Sequence, residues 1–455
     1  MECLLRLVSK NIVITGAGEV GSFAAQLLSE NGHGVTVIDE SAECLEKLSQ
    51  VVEARMVLGS ACHAHVLKEA QVHKCDVMIA ATSLDEINLL SGSLGRQLGA
   101  RKVISRIHNR NYRPSQTFDY AKGFGIDHLI YPEELTARSI CSHINDPGVM
   151  AIQSFARDQI ELHQYRIDHN SKVLNLPLKR VKLPVGLRII KVKREGELII
   201  PGADTCLAPG DIVTMIGPSE KYRSIKGIFT KEKRKGREIA IAGGSSTAEW
   251  VIAHLRGQDS HIRLFEQNID RAEELAAKYP KVTVLAADSL DIHTFESEHL
   301  ERCTQLLALS DNQERNILVA LQSKKLGVES TFAIIHNSTY LSALEEVGID
   351  YCYSPRMEAA KELLRLMDDS PIKTITTLGD SGFHVYELTA KNGNAIGKSL
   401  NSVTFPAQTF IAAIQREHNV FTPEAHDIVS SRDVLIVIGP EEIEKDLLDL
   451  YGRTS

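Results

Sequence analysis

Gly16, Gly18 and Gly21 follow an apolar run, Asn11-Ile12-Val13-Ile14-Thr15, and lead into a stretch of helical periodicity. Between a strand and a helix, that spacing has a chemical use. The first glycine permits a tight turn, the second lets backbone approach a pyrophosphate, and the third lets helix pack on strand. The segment Gly16, Ala17, Gly18, Glu19 and Val20 then offers amides at a helix start, where the dipole favours an anion. Asp39 closes a second apolar run, Val35-Thr36-Val37-Ile38. A carboxylate at the end of that strand accepts hydrogen bonds from both ribose hydroxyls and repels a 2′-phosphate, so NAD(H) is the expected ligand.

The same unit recurs late in the chain as Glu238-Ile239-Ala240-Ile241-Ala242-Gly243-Gly244-Ser245-Ser246-Thr247-Ala248, followed by Ile262-Arg263-Leu264-Phe265-Glu266. Ser245 and Ala248 stand where the first copy has Gly18 and Gly21, so side chains occupy positions that close approach would require to be bare. Glu266 keeps the ribose-type carboxylate. Two readings of this copy stay open. It is either a sheet retained for packing and symmetry, or an altered site for another adenine nucleotide built from Gly243, Gly244, Ser245, Ser246, Thr247, Glu266 and Ser310.

Positioning such groups takes a sheet. Strand-like runs at Ile12–Thr15, Val35–Asp39, Ala54–Leu58, Val77–Ala81, Lys102–Arg106 and His128–Tyr131 alternate with helical patterns. That alternation demands parallel pairing through helical crossovers, a doubly wound sheet. After a helix around Pro132–Ile144 the character changes near Pro147-Gly148 to short β-rich runs: Gln164–Ile167, Gly186–Lys193, Glu197–Ile200 and Ile212–Ile216. Turns at Pro201-Gly202 and Pro209-Gly210 separate them, giving a small α+β lobe.

The second half repeats these landmarks in order. Thr82-Ser83-Leu84-Asp85-Glu86-Ile87-Asn88 becomes Ser310-Asp311-Asn312-Gln313-Glu314-Arg315-Asn316, and Ile107-His108-Asn109 becomes Ile335-His336-Asn337. Gly210-Asp211-Ile212 in the lobe becomes Arg432-Asp433-Val434. The expected fold class is therefore α/β: two doubly wound parallel Rossmann-type sheets, each followed by a small α+β lobe, as a tandem repeat. The expected domains are 11–146, 147–230, 237–369 and 370–455, four in a chain of 455 residues.

A net charge of −8 gives no electrostatic case for nucleic acid. The first eight residues are too short, and carry an acid where a secretory signal wants bases. No apolar run approaches the roughly 20 residues of a spanning helix, so a cytoplasmic protein is expected, free to dock on a membrane partner. The eight cysteines form no Cys-x-x-Cys pair. Cys62, His63, His65, His73 and Cys75 have metal-like types, but their spacing matches no closed zinc pattern, and no metal is expected. The basic run Lys231–Arg237 reads as a solvated linker. No catalytic residue is expected either. Tyr222 and Lys226 match the Tyr-x-x-x-Lys spacing of short-chain reductases, but fall beyond the lobe rather than beside a nicotinamide position.

Gly16 to Gly21, Asp39, the Gly59-Ser60 turn with Val66-Leu67-Lys68-Glu69-Ala70, the Thr82-x-x-Asp85-Glu86-x-Asn88 block and Ser105-Arg106 together resemble the regulator-of-potassium-conductance (RCK, or KTN) domain. Two such modules in one chain are similar to the peripheral regulatory subunits of bacterial Trk potassium uptake systems. The resemblance implies sheets that bind NAD(H) or adenine nucleotides such as ATP or ADP. It implies a homotetrameric ring at the inner face of the cell membrane, which gates a potassium-translocating membrane subunit. It adds Thr82, Ser83 and Arg106 to the dinucleotide contacts, and Ser60 where several members carry Asp or Asn. Ile334 stands in the second half where the first has Arg106. The competing expectations are a nucleotide-sensing subunit of another cation transporter and an NAD-dependent oxidoreductase.

Overall fold

A parallel strand covered by helices on both faces must be apolar on both, which is why these strands read as unbroken Ile, Val and Ala runs rather than alternating ones. A computed structural model describes the chain except residues 1–8, 115–116, 146–148, 156–158, 196, 200, 226–227, 230–236, 257–259, 337–342, 345–346, 368–371, 378–382, 418, 442 and 453–455. Nearly all of the basic run at 231–237, with Lys226 and Asn337, lies outside the described residues.

The first sheet is built from β1 (Asn11–Thr15), α1 (Glu19–Glu30), β2 (Gly34–Asp39), α2 (Ala42–Ser49), β3 (Arg55–Leu58), α3 (Ala64–Glu69), β4 (Val77–Ala80), α4 (Asp85–Leu98), β5 (Lys102–Arg106), α5 (Tyr120–Phe124) and β6 (His128–Ile130), and α6 (Pro132–Asn145) follows it. All six strands are parallel, in the order β3-β2-β1-β4-β5-β6. The order reverses between β1 and β4, and the crevice at their carboxyl ends is where such sheets bind ligands.

The first lobe is an antiparallel sheet of β7 (Val149–Phe155), β8 (Ile160–Arg166), β9 (Arg188–Arg194), β10 (Glu197–Ile199) and β11 (Ile212–Pro218), ordered β10-β9-β11-β8-β7. Strand β7 does not stand out in the sequence, and β8 begins four residues before its expected start.

The second sheet follows with β12 (Arg237–Ala242), α7 (Ser246–Leu255), β13 (Ser260–Glu266), α8 (Ile269–Lys278), β14 (Thr283–Ala286), α9 (Ile292–Ser297), β15 (Gln305–Ala308), α10 (Gln313–Lys325), β16 (Ser330–Ile334) and β17 (Tyr351–Tyr353), and α11 (Pro355–Met367) comes after it. Its order, β14-β13-β12-β15-β16-β17, repeats that of the first sheet. The second lobe is β18 (Ile372–Thr377), β19 (Phe383–Thr389), β20 (Phe410–Arg416), β21 (Asn419–Phe421) and β22 (Val434–Pro440), with a short α12 (Glu444–Leu447).

The chain divides into two units, Met1–Cys141 with Lys235–Asp368, and Ser142–Arg234 with Asp369–Ser455. In the first unit the sheets are joined by exchanged helices. Ala359, Leu363 and Met367 on one face of α11 sit in the core of the first sheet with Ile12, Ile14, Val37, Ala25 and Leu28. Conversely, Cys141 of α6 lies 3.9 Å from the Val251 carbonyl of α7, and Tyr131 packs edge-on against Trp250. Truncating Leu363 or Met367 would open a cavity under the first sheet costing roughly 2–5 kcal/mol.

In the second unit the two lobe sheets share an apolar layer, Ile160, Leu162, Ile190 and Ile216 from one against Val385, Ala413, Ile436 and Ile438 from the other. Each lobe also carries the same clamp. Arg194 bonds both oxygens of Asp211 at 2.9 and 2.8 Å, and Arg416 bonds both oxygens of Asp433 at 2.9 and 2.7 Å. Among the described residues, no helix is long and apolar enough to cross a membrane.

Candidate functional site

The glycine turn of the first sheet is shaped by two steric demands and one vacancy. Gly16 has φ +98°, and a Cβ there would lie 2.8 Å from the Ala81 carbonyl oxygen. A Cβ at Gly21 would lie 1.9 Å from the Gly16 oxygen, so α1 reaches its strand only because that carbon is missing. Gly18 is different. Its φ of −73° suits any residue, and nothing stands within 4 Å of where a Cβ would be. Neither backbone nor packing calls for glycine at 18; what glycine leaves there is open space before the first turn of α1. No side chain caps that turn, and the leading amides of a helix have no intrahelical partner.

Asp39, at the end of β2, reaches back to this turn. Its Oδ2 accepts from the Ala17 amide at 2.6 Å and its Oδ1 from the Ser41 amide at 2.8 Å. A carboxylate has about four lone-pair directions, so two bonds leave capacity for hydroxyl donors. Thr82 follows the end of β4, with its amide and hydroxyl donating to Asn88 Oδ1 at 2.8 and 2.7 Å. Asn88 in turn donates to the carbonyls of Thr82 and Arg106, both at 3.0 Å, and is fully buried. It fixes the ends of β4 and β5 relative to one another, a role its place in the sequence block did not disclose. Ser83 is exposed, while Ser60 and Arg106 are half-buried. Every expected residue of the first set thus lies at the carboxyl edge of one sheet, around the reversal of strand order.

The second sheet keeps the frame and fills the space. Glu266 repeats Asp39, accepting from the Gly244 amide at 2.7 Å and the Asn268 amide at 2.9 Å. Asn316 repeats Asn88, donating to the carbonyls of Ser310 and Ile334 at 2.8 and 3.0 Å. Ser245, however, holds the same extended backbone as Gly18 and turns its hydroxyl onto the Ala248 amide, capping α7 from within. Arg271, where the first half has Cys44, donates to the Gly244 carbonyl at 3.2 and 3.0 Å and to Glu249 at 2.6 Å. Glu249 also accepts from Lys278 and from Tyr279. Burial alone would raise its carboxyl pKa, and these donors more than offset that, holding it below the usual carboxylate value. Arg315, in the register of Ile87, pairs with Asp288, in the register of Ser60.

The two sets meet. A cavity of about 90 Å³ is lined by Glu19, Val20 and Arg106 from the first sheet and by Ser245, Ser246, Thr247 and Ser310 from the second. His108, Glu133, His336 and Arg356, absent from the expected sets, bring titratable and charged groups to its wall. His108 stands 3.0 Å from Glu133 Oε1 through one ring nitrogen and 2.9 Å from the Ser246 hydroxyl through the other. The Glu133 hydrogen bond raises the His108 pKa against the opposing effect of burial. Glu133 is buried, which alone would raise its pKa, but His108 and Arg106 hold it low. His336 Nδ1 lies 3.7 Å from Glu19. The repeated Ile-His pair was visible as a landmark; that each histidine faces the other half's glycine turn was not.

The remaining sequence candidates resolve locally. The His63 and His65 rings stack on one another at 5.6 Å, and among the described residues no group of three or more His, Cys, Asp or Glu could hold a metal ion. The Tyr222 hydroxyl is committed to the carbonyls of Glu161 and Met215, both at 2.9 Å.

Fold and site together define a tandem doubly wound α/β protein, each sheet carrying a glycine turn and a facing carboxylate and followed by a small antiparallel lobe. Comparison with known proteins makes this specific. The TrkA-N domain family matches residues 12–132 and 239–355, and the TrkA-C domain family matches 162–230 and 385–452. The chain belongs to the TrkA-N family, carrying TrkA-N and TrkA-C domains twice in tandem. It is 29% identical to a Trk system potassium uptake protein TrkA homolog of Archaeoglobus fulgidus, over 95% of this chain and 98% of that one. It is 28% identical to the Trk system potassium uptake protein TrkA of Haemophilus influenzae, over 94% and 95%. Its fold is shared with the GsuK channel bound to NAD, at 17% identity and a TM-score of 0.64, covering 97% of this chain and 79% of that one.

Proposed function

We propose that the crevice of the first sheet binds NAD(H), and that the chain is the nucleotide-sensing regulatory subunit of a Trk-type potassium uptake system. The observation that supports this reading is Gly18: a glycine with an ordinary φ, open space beside it and a helix start behind it that no side chain caps leaves room for a ligand's phosphates. Asp39 supplies the ribose acceptor, with Thr82, Ser83 and Arg106 along the same edge and Ser60 at the neighbouring turn. The two TrkA proteins and the NAD-bound GsuK channel named above support the assignment of system and ligand. The second sheet, with Ser245 as an internal cap and Arg271 and Arg315 paired across the equivalent space, is a structural partner, and the chain holds one dinucleotide.

In this reading the protein works as a homotetrameric ring at the inner face of the membrane, beneath a potassium-translocating subunit. A ligand biases the gate only through its difference in affinity between two ring shapes, and about 1.4 kcal/mol per ring shifts a balanced equilibrium tenfold. Calorimetric titration of the full chain with NADH, NAD, ATP and ADP tests the site. One dinucleotide per chain is expected, lost in Asp39→Ala and kept in Glu266→Ala. Binding that survives Asp39→Ala unchanged would overturn the assignment, and loss of a different nucleotide in Glu266→Ala would mean that both sheets sense.

A further inference from the structure

The diphosphate of a nucleotide on the first sheet meets an awkward neighbour. Glu19 is the first residue of α1 and lines the cavity beside the glycine turn, so a carboxylate stands next to the position where two phosphate charges must sit. Like charges at such a distance disfavour binding unless cations are close by. Arg106 of the first sheet lines the same cavity but is turned to Glu133, and the other cationic groups near Glu19 come from the second sheet. His336 approaches Glu19 at 3.7 Å, and Arg356, one residue into α11, lines the same cavity as Glu19 and Val20. The Arg356 guanidinium lies 5.3 Å from the ring of Phe23, one turn along α1, which places its head against the first sheet's helix.

The repeat provides an internal comparison. α6 and α11 both open on proline at the end of their sheets, and the residue after that proline is Glu133 in one and Arg356 in the other. The acid is the member placed beside Ser246, through His108, where the second turn is already capped by its own Ser245. The base is the member placed at the uncapped turn of the first. The charges are thus distributed as one anion-binding site and one that rejects anions would require.

We infer that the first nucleotide site is completed by the second half of the chain, with Arg356 donating to the nucleotide's phosphates across the cavity. Arg356 is therefore a ligand-binding residue, and its planar fork suits a phosphate better than a lysine would. A nucleotide so held bridges the two sheets, so its presence is felt at the contact between them. The inference rests on the first sheet's binding of NAD(H) proposed above, and it names the residue that meets the phosphates from the opposite side.

The test is NADH titration of the native full chain and of Arg356→Gln, Arg356→Lys and Phe23→Leu at low and high salt. Arg356→Gln is expected to weaken binding by about tenfold or more, the loss expected for a charge-assisted contact. Arg356→Lys should recover part of that loss, and the salt dependence should become shallower in Arg356→Gln because a screened contact has gone. Phe23→Leu, which removes the ring beneath the guanidinium and keeps the charge, should stay close to native affinity. An Arg356→Gln variant of near-native affinity overturns the inference, as does a Phe23→Leu variant that loses as much, since packing alone would then explain both. A native chain that fails to bind NADH instead refutes the function proposed for the first sheet.

Discussion

Gly18→Ser separates a role in the fold from a role toward a ligand. The second sheet shows serine at the equivalent position, in the same extended backbone and with its hydroxyl on the amide three residues on. Nothing lies within 4 Å of the new Cβ in the first sheet, so the substitution carries no clash and no strain. Serine is slightly better than glycine at a helix start, and the unliganded chain should gain a few tenths of a kcal/mol, roughly at the edge of detection. The nucleotide loses far more. A serine hydroxyl that takes an amide of the first turn removes one charge-assisted bond to phosphate, about 1.5–3 kcal/mol, or roughly 10- to 150-fold in Kd. Calorimetry with NADH and thermal denaturation without it give both numbers on one preparation. The expected outcome is a Tm equal to or slightly above native with affinity reduced at least tenfold. Affinity within threefold of native would refute the reasoning, because the space beside Gly18 would then not be where phosphate sits; a lowered Tm would show that the vacancy serves the fold.

Two further outcomes concern charge. Asp211→Ala leaves the Arg194 guanidinium without its bidentate acceptor, and because Arg194 keeps 39% exposure and stays solvated, the cost should be that of the lost charge-assisted bonds, about 1.5 kcal/mol. Hydrogen-exchange protection of β8 and β11 amides should then fall about tenfold, and a change below threefold would show that the clamp contributes little. The Asp211 carboxyl is held below its ordinary 3.8, the Arg194 bond and the Ala208 amide outweighing burial. Its contribution is therefore present above about pH 4 and is lost as the pH falls through the depressed value. His108 has the opposite sign. Its pKa is raised above 6.5, so its contribution is complete below that value and is lost as the pH rises through the raised one. Half-exposed, it should contribute no more than about 1 kcal/mol. His108→Ala should remove the decline in thermal stability as the pH rises above about 6.5, and an unchanged pH profile would mean that the Glu133–His108–Ser246 bridge does not form in solution.

The fold was legible where order is set within one element. A doubly covered strand has to be apolar along its length, so β1, β2, β4 and β5 announced themselves, and the glycine turn between β1 and α1 followed from adjacent residues alone. Strand β7, Val149 to Phe155, lies past the proline-glycine turn where β-rich runs were expected, but it was not singled out among them. The carboxylates at Asp39 and Glu266 were found by position, although their bonds to the Ala17 and Gly244 amides were not, since those join residues 22 apart that meet only when two strands pair.

By itself the sequence determined that two doubly wound sheets exist, that each ends in a small lobe, and that only one keeps a bare glycine turn. Tertiary structure decided what that asymmetry means. Arg271 reaches Glu249 and Arg315 reaches Asp288 over 22 and 27 residues, pairs that no local period encodes, formed at positions where the first half has Cys44 and Ile87. The exchange of α6 and α11, which brings Glu133 to one glycine turn and Arg356 to the other, depends on which apolar face each helix buries and against which sheet. An amphipathic stripe states only that it must be covered; the partner is chosen by the packing of the whole unit.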